Sequence, residues 1–312
     1  MILHFSKSPF NQFIGISYYN RRAIFSFILF AGLAYYFCIY EKVDEIHVPA
    51  IPVSILGGAL AIFLGFRNSS AYDRWWEARK IWGSIVNNSR SFGLELITYP
   101  IGQTNEEEEE IEKWRRGVIN RHLAWLYALN AQLRNKPVEI SHYLDKHDLE
   151  LLKDKKNIAT QLLIIQGNDI DRAFRKGWIE EFRFNALIGT LKNFYDDQGK
   201  SERIKNTVFP FYYNYFTNFF LWLFTLSLPF ALSTVMQNWL MIPLSIAISF
   251  AFYILNKSGV MTETPFEARA ADTPLNSICR TIEIDLLQML DTDEVPDVIP
   301  VMKGRFGVHF QN

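Results

Sequence analysis

Gly58, Ile62 and Phe66 recur at four-residue intervals in a run, IPVSILGGALAIFLGF (residues 51–66), that carries no formal charge. Residues four apart share one face of a helix. Such a stripe makes and breaks no bonds. Several copies around an axis would instead form an apolar collar that stops ions by dewetting and passes them when it widens modestly. The run continues without a turn signal into RNSSAYDRWWEARK (residues 67–80), rich in Arg and Trp. A membrane-compatible helix therefore extends directly into a polar one. From spacing alone the competing reading is packing, because Gly57, Gly58 and Gly65 would let membrane helices approach closely.

Other residues with reactive or ligating side chains read as structural. Glu106–Glu110 is a solvated charge run at a helix start. His142, Asp145, His147 and Asp148 are ligand types, but the two histidines are five residues apart and fall on different helix faces. That cluster is read as loop or surface, and no metal is expected. His122 lies on the apolar side of its helix and reads as a core histidine. No GxSxG, Walker A, GxGxxG or HExxH pattern occurs, so no catalytic residue, cofactor or enzymatic role is expected. Cys38 and Cys279 form neither a disulfide framework nor a CxxC metal spacing. Cys279 is expected to be a free thiol in a reducing compartment.

The elements that position the stripe follow from composition. The 312 residues are 49% hydrophobic and 15% aromatic yet 21% charged, which points to a chain part membrane and part soluble. A net charge of −1 gives no basic surplus for nucleic acid. Four uncharged runs, residues 23–40, 48–66, 209–232 and 238–255, approach the roughly 20 apolar residues a bilayer requires. Pro229 and Pro243 are placed to kink the last two. Lys7, Arg21 and Arg22 precede the first run, and Arg67, Arg74, Arg79 and Lys80 follow the second. Lys200, Arg203 and Lys205 precede the third, and Lys257 follows the fourth. The connector between the first two carries Glu41, Asp44 and Glu45 against Lys42. All basic clusters fall on one side, which predicts a multi-pass protein of the cell (inner) membrane with both termini cytosolic. The first residues lack a signal-peptide pattern. Tyr212, Tyr213, Tyr215, Trp222, Trp239 and the pair Trp75–Trp76 suit interfacial positions.

The cytosolic helical part covers residues 67–207 and 256–312. Ile111, Trp114, Val118, Trp125, Leu129 and Leu133 recur at helical steps and give one buried stripe. Residues 157–167, 178–195 and 283–290 read as further helices, and no strand-period alternation is evident. The tail, VPDVIPVMKGRFGVHFQN, contains Pro296 and Pro300. It is expected to be extended and apolar enough to pack against a neighbour. The predicted fold class is all-α: a polytopic membrane protein with four transmembrane helices, residues 1–312 forming one unit.

The segment GFRNSSAYDRWWEARKIWGSIVNNSR (residues 65–90) closely resembles the bestrophin family, in particular its bacterial branch. Further matches are RRGVINRHLAW (115–125), QGKSERIKNTVFPF (198–211), TPFE (264–267) and DTPLNSICRTIE (272–283). The resemblance implies a homopentameric channel for small monovalent ions, chloride-type anions or sodium as in the bacterial branch. Its partners are copies of itself, membrane lipids and the permeating ions. It implies that the second span lines a hydrophobic neck at Gly58, Ile62 and Phe66. Gly58 departs from the bulky aliphatic residue usual there, so the outer ring is expected to be wider. A second constriction at the cytosolic exit maps to Ile179 or Phe182. Where animal members carry a calcium-binding acidic run, this chain keeps only Glu267 and Asp272, short of the roughly six to eight oxygens calcium takes. No calcium site is expected. Two other classes stay open: a membrane-anchored helical scaffold or signalling protein, and a secondary transporter, which internal repeats and broken helices would favour.

Overall fold

The computed structural model describes residues 9–43, 46, 48–207, 211–269, 271–292, 294–303 and 309–310. Lys7, Asp44, Glu45 and residues 209–210 lie outside them, as do residues 304–308 and 311–312 of the tail.

Ten helices account for most of the described chain: α1 (Pro9–Tyr19), α2 (Arg21–Tyr35), α3 (Ala50–Thr98), α4 (Asn105–Leu133), α5 (Lys146–Leu152), α6 (Ile158–Arg175), α7 (Glu181–Asn206), α8 (Phe211–Val235), α9 (Met241–Thr262) and α10 (Leu275–Met289). A π-helical turn, Tyr36–Tyr40, extends α2. Four helices are long and apolar enough to cross a membrane: Arg21–Tyr40, the start of α3, Tyr212–Val235 and α9. Pro243 sits in the first turn of α9, where a helix has no backbone bond for it to remove. Pro229 lies inside α8.

The apolar part is layered. α8 and α9 pack on each other and each touches both α2 and α3, which flank them. Behind α3, a small core gathers Val53, Leu60, Leu64, Leu221, Phe224, Leu228 and Ala231. The soluble part is a larger bundle in which the far half of α3 packs on α7 and α10, and α4 packs on α6 and α10. Its core includes Trp82, Ile85, Phe92, Leu123, Trp125, Leu163, Phe194 and Leu286.

Local chemistry explains the helix starts. Thr104 caps α4 by accepting from the Glu107 N–H at 3.2 Å. The carboxylates of Glu107 and Glu108 reach back to the N–H groups of Gln103 (2.6 Å) and Gly102 (2.9 Å). The acidic run thus serves the positive end of the helix. Asp145 and Asn157 cap α5 and α6, accepting from Asp148 N (2.8 Å) and Thr160 N (3.0 Å).

The tail departs from the helical expectation in one place. Met302 pairs with Phe310 and Lys303 with His309 in a two-residue antiparallel ladder, too short for any alternation to be legible in the sequence.

Candidate functional site

α3 spans 49 residues without a break, about 74 Å at helical rise. In its first half one face is buried: Val53, Gly57, Leu60, Leu64, Arg67 and Ala71. The opposite face is open and apolar. Ile51, Ile55, Ile62 (65% exposed) and Phe66 (68%) lie on it, with Gly58 among them. The two neighbouring glycines show the asymmetry. A Cβ on Gly57 would meet the Phe224 ring at 2.7 Å, whereas one on Gly58 meets nothing within 4 Å. Gly57 is therefore the packing glycine and Gly58 belongs to the free stripe. Gly65 also has open space beside it.

Below Phe66 the open face turns aromatic and polar. Tyr72 and Trp76 stack with planes 5° apart, centroids 6.5 Å apart. Both are exposed, as are Ser69, Asp73 and Lys80.

Behind the stripe lies Arg67, which in the sequence is only one of the charges flanking the second apolar run. Arg67 is 1% exposed. Its guanidinium donates to Asn256 Oδ1 at 2.6 Å, to Asn214 Oδ1, and to Glu263 Oε2 at 3.2 Å. Asn256 in turn donates to Asn218 Oδ1 at 2.8 Å. The adjacent Asn68 donates to the Leu255 carbonyl at 3.1 Å. One cation thus ties α3 to α8, to α9 and to the residue just past α9, at the level of Phe66. A buried cation demands such compensation. The available signal was the asparagines inside otherwise apolar runs, which membrane helices use to bond one another.

The two residues considered for a second constriction separate. Ile179 is 2% exposed and belongs to the soluble core, while Phe182, in the first turn of α7, is 89% exposed. Only Phe182 is free to reach a partner or an axis.

The other candidates settle into structural roles. His122 is fully buried among Phe92, Trp125 and Phe194, its Nε2 2.9 Å from Ser89 Oγ. Burial pushes its pKa down to about 3, so it is neutral at ordinary pH. Ligand atoms of Asp145, His147 and Asp148 come within 4.8 Å of one another. Asp148 is buried rather than on the surface. Arg121 already supplies the cation there, 2.6 Å from Asp148, 3.0 Å from Asp169 and 3.8 Å from Asp145. Glu267 pairs with Lys205 at 2.8 Å, and Asp272 accepts from the Arg269 N–H at 3.0 Å. Cys38 and Cys279 are free and buried, and burial pushes the Cys279 thiol up to about 12.

The model for the family "Bacterial/Fungal Bestrophin protein" matches residues 20–288, from α2 to α10. The chain belongs to the bacterial and fungal bestrophin family. The Escherichia coli (strain K12) relative YneE, named a voltage-dependent anion channel-forming protein, is 36% identical over 248 residues, 78% of each chain. The Mesorhizobium japonicum relative mll4386, named in the same way, is 27% identical over 288 residues, 91% of this chain and 89% of its own. Among solved structures, a bacterial bestrophin homologue from Klebsiella pneumoniae superposes with a TM-score of 0.79 at 27% identity, covering 87% of this chain and 98% of its own. The bestrophin membership accounts for the four apolar helices and for the soluble bundle that prolongs one of them.

Proposed function

We propose that this bestrophin is an oligomeric ion channel, a pentamer by its family likeness, in which α3 from each copy lines the conduit. The observation that carries the reading is the open apolar stripe of α3. It lies opposite the face packed on α8 and α9, on a helix at the flank of its layer. An unpartnered face of that kind is met by lipid, by another copy, or by the water of a pore. In the pore arrangement Ile62 and Phe66 form two rings of a hydrophobic neck. Gly58 makes a wider outer position, and Phe182 is the candidate for a cytosolic aperture. The exposed Tyr72–Trp76 pair then lies just below the neck, where the conduit opens into the soluble part. Relatives named for anion channel formation support small anions as cargo. The reading treats residues 1–312 as one channel unit of the bacterial inner membrane with both termini cytosolic, and assigns no catalytic role.

The test is ion flux from purified protein in liposomes, followed by currents from the Ile62→Ala/Phe66→Ala double variant. Both side chains are mostly exposed within the protomer, so their removal leaves the fold intact. Conductance is expected to rise. Unchanged currents from a correctly assembled double variant place the neck elsewhere. No flux from the native chain favours a scaffold, and saturable counter-transport favours a carrier.

A further inference from the structure

We propose that Asp73 lowers the anion preference of the conduit, acting as the first charged group on the neck face of α3 and weighting permeation toward cations. The inference rests on the channel reading above and sharpens it. An uncharged neck discriminates by width and hydration and cannot by itself choose between anion and cation. The choice must be made by charges at its mouths.

Asp73 follows Phe66 by seven residues. At helical geometry that is two turns less about 20°, so it lies on nearly the same face, about 10 Å further along. It is exposed, and among the described residues it has no hydrogen-bond or ion-pair partner. Along the open face before it, Ile51, Ile55, Gly58, Ile62, Phe66 and Ser69 are all uncharged.

The charges nearest Asp73 are turned away or engaged, and Arg79, half-buried six residues beyond it, falls off this face. Arg67 points into the protomer, with Glu263 against it. Arg74 donates to the backbone carbonyls of Ile204 and of Thr207, the latter at 2.6 Å. Glu77 is held by Arg203 at 2.7 Å. Lys80, the next exposed cation on this face, is seven residues beyond Asp73. Along α3, among the described residues, an ion leaving the neck meets a ring of carboxylates before any free cation. Rings of Asp or Glu favour cations by direct Coulomb attraction. Relatives of this chain are named for anions. Asp73 therefore opposes the anion flux that the rest of the conduit permits.

The experiment is the reversal potential of the purified full chain in neutral-lipid bilayers under asymmetric potassium chloride. Asp73→Asn is expected to raise the anion-to-cation permeability ratio roughly three- to tenfold, as expected for several unit charges near 10 Å with partial screening. Asp73→Lys is expected to raise it further, and Asp73→Glu to keep the native value. The differences should shrink as bulk salt rises, because screening weakens the field, which a merely structural role would not reproduce. Glu150→Gln on α5, an exposed carboxylate away from this face, should leave the ratio unchanged. Coincident reversal potentials for the native chain, Asp73→Asn and Asp73→Lys, all conducting, would overturn the proposal and leave the channel reading standing. No conductance from any intact oligomer would overturn both.

Discussion

One helix, α3, lives in two solvents, and its two parts are held in place by opposite means. Over residues 50–66 it buries a narrow face against a small apolar core and exposes Ile51, Ile55, Ile62 and Phe66. Over residues 78–96 it buries Ala78, Ile81, Trp82, Ile85, Phe92 and Leu96 in a large core and exposes Lys80, Asn87, Arg90 and Ser91. In the soluble part burial of apolar area drives docking. In the apolar part lipid is as greasy as the side chains, so van der Waals fit and polar bonds between helices hold the contact. The polar cluster accordingly appears where the apolar core ends, with Arg67 as its centre. The open face is apolar at one end and polar at the other, as the proposed neck leading into a vestibule requires.

That contrast can be attacked at three points of decreasing size. Arg67→Leu removes one partner of a buried ionic network and strands Glu263, Asn214 and Asn256. It should cost about 3–5 kcal/mol, read as a fall in the thermal midpoint and loss of assembled protein in detergent. A cost under about 1 kcal/mol would mean that the apolar part is held by packing alone.

The soluble core carries the next effect. His122 titrates near its ordinary value of 6.5 when unfolded and at about 3 when folded. Between those values the unfolded chain binds a proton that the folded chain refuses, so stability falls as pH drops through that window. The slope is about 1.4 kcal/mol per pH unit, or about 2 kcal/mol between roughly pH 6.5 and 5. Denaturant midpoints for native protein and His122→Gln, compared across this range, isolate the contribution. Parallel curves would show that the imidazole is not shut away from water.

The smallest effect separates the two faces of α3. Gly57→Ala forces a methyl group against Phe224 and should cost about 1 kcal/mol. Gly58→Ala enters open space and should be neutral, or gain up to about 1 kcal/mol from helix propensity. Equal losses at both positions, measured by thermal unfolding, would mean that the stripe is not free.

Much of the molecule was legible in advance because its determinants are local. Run length and absence of charge located the apolar helices to within a few residues, although α3 runs on to Thr98 and α9 to Thr262, beyond the apolar runs themselves. Three- and four-residue periodicity found α4, and the acidic run marked its start. The expected α6, α7 and α10 are shorter than the observed ones, and α5 falls in a stretch that reads as loop or surface. α7 extends to Asn206 through a charged, Gly-containing stretch that carries little periodic signal, and tertiary contact keeps it helical. Ile179 and Phe182 look alike in the sequence. They differ because one closes the end of a core and the other begins a helix outside it.

By itself the sequence determined that one stripe of one helix would be greasy and uncharged through a membrane's depth, because side-chain type and helical spacing suffice for that. It did not determine which charge at the end of that stripe would be hidden and which left free. Arg67 and Asp73 stand six residues apart in the same polar stretch. Arg67 is buried because Asn214, Asn256 and Glu263, between 147 and 196 residues further along the chain, are brought against it by the packing of α8 and α9. Asp73 stays exposed because, among the described residues, no element is folded onto its side of α3. Burial of a charge depends on the partners that compensate it, and only the tertiary structure brings those partners within reach.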